Sequence, residues 1–304
     1  MPPGPCDLGA GLTKSIRHLG GASASLNVTV YDSLSRRRRN RAILAGLLLA
    51  GLFLVACWIA EVRPAVLIGR IDRLFDYLDD LLRLDTGDYV WTSPREWFWG
   101  LPRWLAALSE TLVMAYAGTA LGSFAAVVLS FLSSRNFSQS HVVRTITRRF
   151  LEFSRTVPDL VFALIFVICF GLGPLPGVLA IAIHTMGSLG KLFAEVVESI
   201  DTKPVEGIAA SGGGRLAQIR FGALPQVMPN FISYALLRFE INVRSAAVLG
   251  FVGAGGIGYT LLIAIRKFYN SDVSAMLVLI IGTVMIIDYG TERVRHLLIS
   301  QDRR

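Results

Sequence analysis

Apolar and polar segments alternate along most of the chain. Six blocks are predominantly apolar and run for about 20 residues each: 42–60, 104–132, 156–173, 178–200, 230–252 and 273–289. A helix needs about 20 apolar residues to cross the hydrocarbon core of a bilayer. The pattern therefore predicts an all-α membrane protein with six transmembrane helices. Gly118 and Gly122, four residues apart in the second block, predict a surface on which helices pack closely.

The polar segments between these blocks differ in charge. Residues 1–41 are rich in glycine and serine and end in a cluster of arginines, which predicts a flexible basic tail. Residues 133–155 and the last segment, 292–304, are also net basic. Lysine and arginine are retained on the cytoplasmic side of membranes, so both termini are predicted to be cytoplasmic.

The segment 61–103 is predicted to be extracytoplasmic. It lies between the first transmembrane helix, 42–60, and a core at 104–298 that contains the other five. Apolar residues recur at helical spacing over 70–84, which predicts an amphipathic helix on the membrane surface. A cluster of aromatic residues follows where the chain re-enters the bilayer, as is typical of the membrane interface.

Composition agrees with a membrane protein. Hydrophobic residues make up 53% of the chain and charged residues 17%. The net charge of +8 does not predict a nucleic-acid partner, because the basic residues flank the apolar blocks. The three cysteines show no spacing typical of a disulfide framework, and the sequence predicts no metal site.

A polar loop with several glycines, 201–225, separates the fourth and fifth apolar blocks. Asp201 or Thr202 can cap the start of a short helix, and Pro204 suits its first turn. The glycines at 212–214 are predicted to end this helix, because glycine accepts the left-handed conformation needed there.

A second amphipathic stretch, 215–223, is predicted to stop at Pro225. Two short helices that meet at glycines could dock as a rigid body into a cleft of another protein. The alternative is that the loop is only a connection between two transmembrane helices.

Ionisable residues within the apolar blocks are costly and are candidates for a function. Glu240 and Arg244 lie four residues apart on one helical face, and Lys191 and Glu195 repeat this spacing. Each pair is either a structural ion pair or part of a pathway for an anionic solute. His184 is predicted to be a packed or hydrogen-bonded residue.

Four glycines, Gly253, Gly255, Gly256 and Gly258, fit the dinucleotide-binding pattern G-x-G-x-x-G. That motif requires a turn between a strand and a helix, whereas these glycines interrupt predicted membrane helices. We therefore expect a helix break or gate near the outer face.

The spacing of Glu206, Gly212 and the pair Leu224-Pro225 resembles the EAA loop of ABC-transporter permeases. Two departures are Gly207-Ile208 after the glutamate and Gly222, where isoleucine is usual. Further blocks resemble the phosphonate-importer branch: 110–122, 133–136, 155–160, 171–174, 184–195, 224–229, 238–245 and 252–258.

This resemblance implies a type I importer of a bacterial plasma membrane. It implies a second copy of this chain, two ATPase subunits and an extracytoplasmic binding protein as partners. ATP and Mg would bind the ATPase, with no cofactor and no catalytic residue on this chain. The coupling residues implied by the loop are Pro204, Glu206, Gly212, Arg215, Leu224 and Pro225.

The implied substrate is a phosphonate or a related phosphorus oxyanion. One alternative is an importer permease for another small solute. Another is a secondary transporter or channel that works without ATP. A membrane-embedded enzyme is disfavoured, because no cluster of catalytic residues stands out in the sequence.

Overall fold

The computed structural model describes residues 38–61, 64–84, 86–138 and 140–301. The predicted tail therefore lies outside the described residues up to residue 37. Within the described residues the secondary structure is helical, apart from one isolated antiparallel β-bridge between Arg83 and Tyr89. The chain divides into two units, 1–74 and 75–304.

The first unit contains the first predicted transmembrane helix. Its helices are α1 (Arg38–Ile59), α2 (Pro64–Gly69) and the start of α3 (Ile71–Leu81). Helix α1 has 22 residues and is long and apolar enough to cross a membrane, as predicted for 42–60. Helix α3 confirms the amphipathic helix predicted at 70–84, and none of its side chains is buried.

The second unit is built from ten further α-helices among its described residues. They are α4 (Pro94–Trp97), α5 (Leu101–Ser133), α6 (His141–Thr156), α7 (Asp159–Phe170), α8 (Pro174–Glu198), α9 (Lys203–Ala210), α10 (Arg215–Ala217), α11 (Leu224–Leu249), α12 (Gly256–Arg266) and α13 (Asn270–Gln301). A π-helical turn, Gln218–Ala223, precedes α11, and a 3₁₀ turn, Gly250–Val252, follows it.

Four helices of the described chain, α1, α5, α8 and α13, are long and apolar enough to cross a membrane singly. Two bent pairs raise the number to as many as six. Helices α6 and α7 meet at 87°, and the helical run Arg215–Val252 meets α12 at 46°.

The third predicted span, 156–173, is corrected by the first of these bends. Helix α7 has 12 residues, or about 18 Å, which is shorter than the roughly 30 Å of a bilayer core. It follows α6, a 16-residue amphipathic helix where only a basic segment was predicted. Val157 is extended because the residue before a proline is driven out of the helical region, and Pro158 separates the two helices.

The predicted packing surface on α5 is confirmed. A Cβ atom at Gly118 would lie 2.7 Å from Cβ of Ile181, and one at Gly122 would lie 2.6 Å from the carbonyl oxygen of Ala182. Larger side chains at these positions would therefore push α8 away from α5. Small residues at this spacing let two membrane helices approach closely.

Three clusters of buried residues form the core of the second unit. The middle cluster joins α5, α7, α8 and α11 and includes Met114, Ala163, Ile181 and Val243. A second cluster joins the first half of α5 to α12 and α13 and includes Trp104 and Leu261. The third joins the last part of α5 to the end of α8 and the start of α11, where the rings of Phe193 and Phe231 stack 4.0 Å apart. We call the end of the bundle that contains this third cluster and carries residues 199–223 the loop end.

Candidate functional site

The loop at 201–225 begins with the short helix α9, which has backbone hydrogen bonds at both of its ends. The backbone N–H of Lys203 donates to Oδ1 of Asp201 at 3.1 Å, whereas Thr202, the N-cap residue, makes no side-chain capping bond. At the other end, the N–H groups of Gly213 and Gly212 donate to the carbonyls of Ile208 and Ala209. Gly212 has φ +83°, as predicted for a glycine that ends a helix in this way.

The second half of the loop does not stop at Pro225. Helix α10, the π-helical turn and α11 follow one another without a break, so Pro225 lies in the first turn of α11. A proline has no N–H to donate, and its ring clashes with the carbonyl four residues earlier in an α-helix. The wider π-helical turn just before Pro225 accommodates both effects, which the hydropathy pattern could not predict.

Gln226 joins the two ends of the loop. Its Nε2 donates to the carbonyls of Asp201 at 3.2 Å and Gly222 at 2.7 Å, and its Oε1 accepts the N–H of Asp201 at 3.1 Å. Sequence reasoning missed this residue, although a polar side chain directly after the Leu-Pro pair was a signal. The two bonds to Asp201 tie the ends of the loop together, and the bond to Gly222 holds the side chain against the π-helical turn.

The departure from the usual isoleucine at Gly222 has a steric reason. A Cβ atom there would lie 3.0 Å from Cγ2 and 3.1 Å from Cα of Val205 in α9. Glycine thus allows the π-helical turn to pack directly against the backbone of α9. By contrast, Gly207 has open space around it.

The outer surface of the loop carries both charged and apolar side chains. Glu206 and Arg215 are exposed, and the Glu206 side chain makes no hydrogen bond or ion pair with a described residue. Leu216 is 83% exposed and Phe221 66% exposed. Exposed apolar side chains next to unpaired charge are typical of a surface that binds another protein.

Arg244 is paired with two carboxylates. Its Nη2 lies 3.1 Å from Oε1 of Glu240, the partner predicted by spacing, and its Nη1 lies 3.2 Å from Oδ2 of Asp288 in α13. Sequence reasoning missed Asp288. The pair Lys191–Glu195 is also present, but at 3.9 Å and with both side chains largely exposed.

A buried amide connects three helices near the middle of the bundle. Nδ2 of Asn242, in α11, donates to the hydroxyls of Thr119 in α5 and Thr185 in α8, both at 2.8 Å. Asn242 is 1% exposed. The three polar residues hold the register of these helices.

Three of the four glycines at 253–258 form the predicted break, and Gly258 lies inside α12. Gly253, Gly255 and Gly256 have φ of +94°, +81° and +71°, from the turn that follows α11 to the first residue of α12. The N–H of Ile257 donates to the hydroxyl of Thr111 in α5, which ties the start of α12 to the bundle. The described residues around these glycines are helical, so the strand that a dinucleotide site requires does not precede them.

Within the described part of the chain, no group of three His, Cys, Asp or Glu residues could hold a metal ion. Cys57 and Cys169 are free, and Cys6 lies outside the described residues. The candidate site is therefore the loop and its connection to α11.

Relatives with related functions match most of this chain. A phosphite transport system permease protein of Stutzerimonas stutzeri is 35% identical over 78% of this chain and 82% of its own length. A phosphate-import permease protein of Mycolicibacterium smegmatis is 34% identical over 82% of this chain. This chain spans about half of that second relative, 45% of its length.

The fold is also that of a known transporter. A solved structure of the inward-facing methionine ABC transporter MetNI covers 67% of this chain and 98% of its own, with a TM-score of 0.56 and 20% identity. This likeness concerns the fold alone. The family model for the inner membrane component of binding-protein-dependent transport systems matches residues 118–295, more than half of the 304 residues. The chain belongs to this family, the membrane permease subunits of ABC importers.

Proposed function

We propose that this chain is the permease subunit of an ATP-driven importer for a phosphorus oxyanion, of the class that includes phosphonate, phosphite and phosphate. The named substrates of the similar permeases support this class. The observation that carries the coupling mechanism is the rigid loop at 201–225, which is continuous with α11 and exposes Glu206, Leu216 and Phe221.

The mechanism follows from that continuity. A separate ATPase, which binds ATP and Mg, contacts the loop at α9 and α10. When the ATPase subunits close, the loop moves as one body because Gln226 ties its two ends together. The π-helical turn passes this motion into α11, and the glycines at 253–258 allow α11 to turn relative to α12. The pathway thereby opens alternately to the two sides of the membrane.

The assembly contains two copies of this chain, two ATPase subunits and an extracytoplasmic binding protein in a bacterial plasma membrane. Each bent pair of helices counts as one span, so that six spans leave both termini and the loop in the cytoplasm. Residues 1–41 form a cytoplasmic tail, 61–103 lie outside and 104–298 form the permease core. Single cysteines within 61–103 should label from outside intact cells, whereas those within 201–222 should not.

The decisive experiment reconstitutes the complex. The tagged chain should co-purify with an ATPase, and in proteoliposomes with the binding protein it should take up phosphite, phosphate or methylphosphonate only when ATP is present. Uptake by this chain alone without ATP would make it a secondary transporter. If the complex takes up an unrelated solute in an ATP-dependent way but none of the three oxyanions, the proposed coupling to the ATPase would stand and the proposed substrate class would be refuted.

Two variants test the loop. Glu206→Ala removes the exposed carboxylate, and Gly212→Pro forbids the positive φ that ends α9. Both should lower ATPase binding in a pull-down by tenfold or more, while the chain still inserts into the membrane. The matched control, Glu96→Ala, removes an exposed glutamate from α4 and should bind the ATPase like the unaltered chain. Unchanged binding and uptake in both loop variants would mean that the loop is only a connection.

A further inference from the structure

Helix α11 carries a second arginine, Arg238, whose surroundings differ from those of Arg244. Its guanidinium makes no hydrogen bond and no ion pair with any described residue, and its Nε is buried without a partner. The side chain is only partly buried overall, so the group is not sealed inside the core. Sequence reasoning missed this residue, because its isolation depends on the packing of α11.

Two polar side chains lie within electrostatic range of Arg238. One is Asp159, whose Oδ1 already accepts the N–H of Leu160 at 2.9 Å at the start of α7. The other is His184 of α8, whose Nδ1 lies 3.1 Å from the carbonyl oxygen of Val157. Asp159 and the carbonyl bonded to His184 lie where α6 ends and α7 begins. Irregular backbone at membrane depth is found where it is buried in protein or lines a water-filled cavity.

The hydrogen bond between Nδ1 of His184 and the carbonyl oxygen of Val157 determines whether the other ring nitrogen, Nε2, donates or accepts. A carbonyl oxygen can only accept, so Nδ1 carries the proton. In the neutral ring Nε2 is then an acceptor, and it makes no hydrogen bond with a described residue. An arginine that can donate and a histidine that can accept therefore lie within electrostatic range of each other, and neither group is satisfied by a described residue.

An unpaired arginine within a membrane bundle is costly, and such residues are normally paired or face an ion pathway. Two other cations of the bundle have carboxylate partners: Arg244 has two, and Arg148 lies 2.5 Å from Glu198 near the loop end. Among the described residues Arg238 has no such direct partner, so a partner from outside these residues is needed to complete its neutralisation. An anion that passes through the permease would be such a partner.

On the basis of the proposed function, we propose that Arg238 and His184 form a transient site for a singly protonated, tetrahedral phosphorus oxyanion on the transport pathway. The planar guanidinium donates two N–H groups to two oxygens of the anion, a geometry that suits this class of ligand. Nε2 of His184 accepts the remaining P–OH proton in a hydrogen bond. Asp159 repels the anion and keeps the site weak enough for release.

The test uses the reconstituted complex with radiolabelled phosphate, and with phosphite and methylphosphonate as further probes. Arg238→Gln should lower uptake tenfold or more while the complex assembles and hydrolyses ATP, since a hydrogen bond to a charged group is worth roughly ten- to a hundredfold in binding. Arg238→Lys keeps the positive charge but lacks the planar guanidinium with its two N–H donors, and it should recover part of the uptake. Uptake by Arg238→Gln equal to that of the unaltered complex would refute the site.

A purely structural role for Arg238 makes a different prediction. If Arg238 only neutralises Asp159, then Asp159→Asn and Arg238→Gln should impair assembly alike, and the double variant should restore both assembly and uptake. The proposed site instead requires that Asp159→Asn lower the apparent KM for the anion and slow its release, and that the double variant remain defective in uptake. His184→Gln, which cannot reproduce the ring geometry, should raise the apparent KM without changing assembly.

Failure of the site and failure of the proposed function give different results. If the unaltered complex takes up none of the three oxyanions, the proposed substrate class is wrong. If it takes them up and Arg238→Gln does so equally well, only the site is wrong. The matched control is the triple variant Glu240→Gln/Arg244→Gln/Asp288→Asn, which removes an already paired arginine from the same helix together with both of its carboxylates and should retain uptake within about twofold.

Discussion

The two arginines of α11 face different regions of the molecule. Arg244 points toward α13, where Asp288 holds it at 3.2 Å, and Glu240 of its own helix lies 3.1 Å from it. Arg238 lies six residues earlier, about 240° away around the helix, and is near Asp159 and His184 without a direct bond to either. The first charge is neutralised within the fold, and the second is left for a ligand. The same residue type on one helix thus serves stability in one region and, as we propose, transport in the other.

The largest effect on stability is expected from Arg244→Ala. This change leaves Glu240 and Asp288 close together without their cation. The three side chains are 21% to 47% exposed, so the cost should fall between the roughly 0 to 1 kcal/mol of an exposed pair and the about 3 kcal/mol of a buried one. Thermal unfolding of the purified chain in detergent should show the loss, together with poor assembly. The triple variant Glu240→Gln/Arg244→Gln/Asp288→Asn should recover most of it. A stable Arg244→Ala chain that assembles but does not transport would instead put Arg244 on the pathway.

A smaller effect is expected from Asn242→Leu. The variant loses the two hydrogen bonds to Thr119 and Thr185, and bonds between membrane helices are worth about 1 kcal/mol. Because Asn242 lies one turn beyond Arg238, loosening it should also reduce oxyanion uptake. Asn230→Leu, at an exposed position of α11, is the matched control and should change neither the unfolding temperature nor uptake. Equal results for the two variants would show that the buried amide does not hold the register of α11.

The smallest effect is expected from Lys191→Gln. Its ion pair with Glu195 is 3.9 Å long and exposed, and such pairs contribute roughly 0 to 1 kcal/mol. Unfolding temperature and uptake should both stay close to those of the unaltered chain. A loss of uptake comparable to that of Arg238→Gln would place Lys191 among the pathway cations, and the contrast between paired and unpaired charges would no longer hold.

Much of the fold could be predicted from the sequence. The apolar blocks matched α1, α5, α8 and α13, because a bilayer imposes a minimum length and polarity on each spanning helix. Gly118 and Gly122 predicted the close contact of α5 and α8, and Gly212 predicted the end of α9. These features depend on neighbours within one turn or on composition, which the sequence states directly.

The bends were harder to predict. A window of apolar residues at 156–173 does not reveal that Pro158 separates two helices at 87°. Nor does Pro225 reveal that a π-helical turn lets α11 continue through it. Both outcomes depend on how backbone groups are satisfied by surrounding helices, since a proline only removes one donor and restricts the residue before it.

By itself, the sequence determined the membrane class, the polar loop at 201–225 and the pair Glu240–Arg244, whose spacing of four residues places both on one helical face. Only the tertiary structure decided that Asp288, 44 residues from Arg244, completes that pair, and that Arg238 has no such partner. Spacing along one helix cannot give these results, because the rotation of each helix against its neighbours sets which side chains meet. That rotation follows from the packing of the whole bundle, including the contact of α5 with α8 and the three bonds of Gln226.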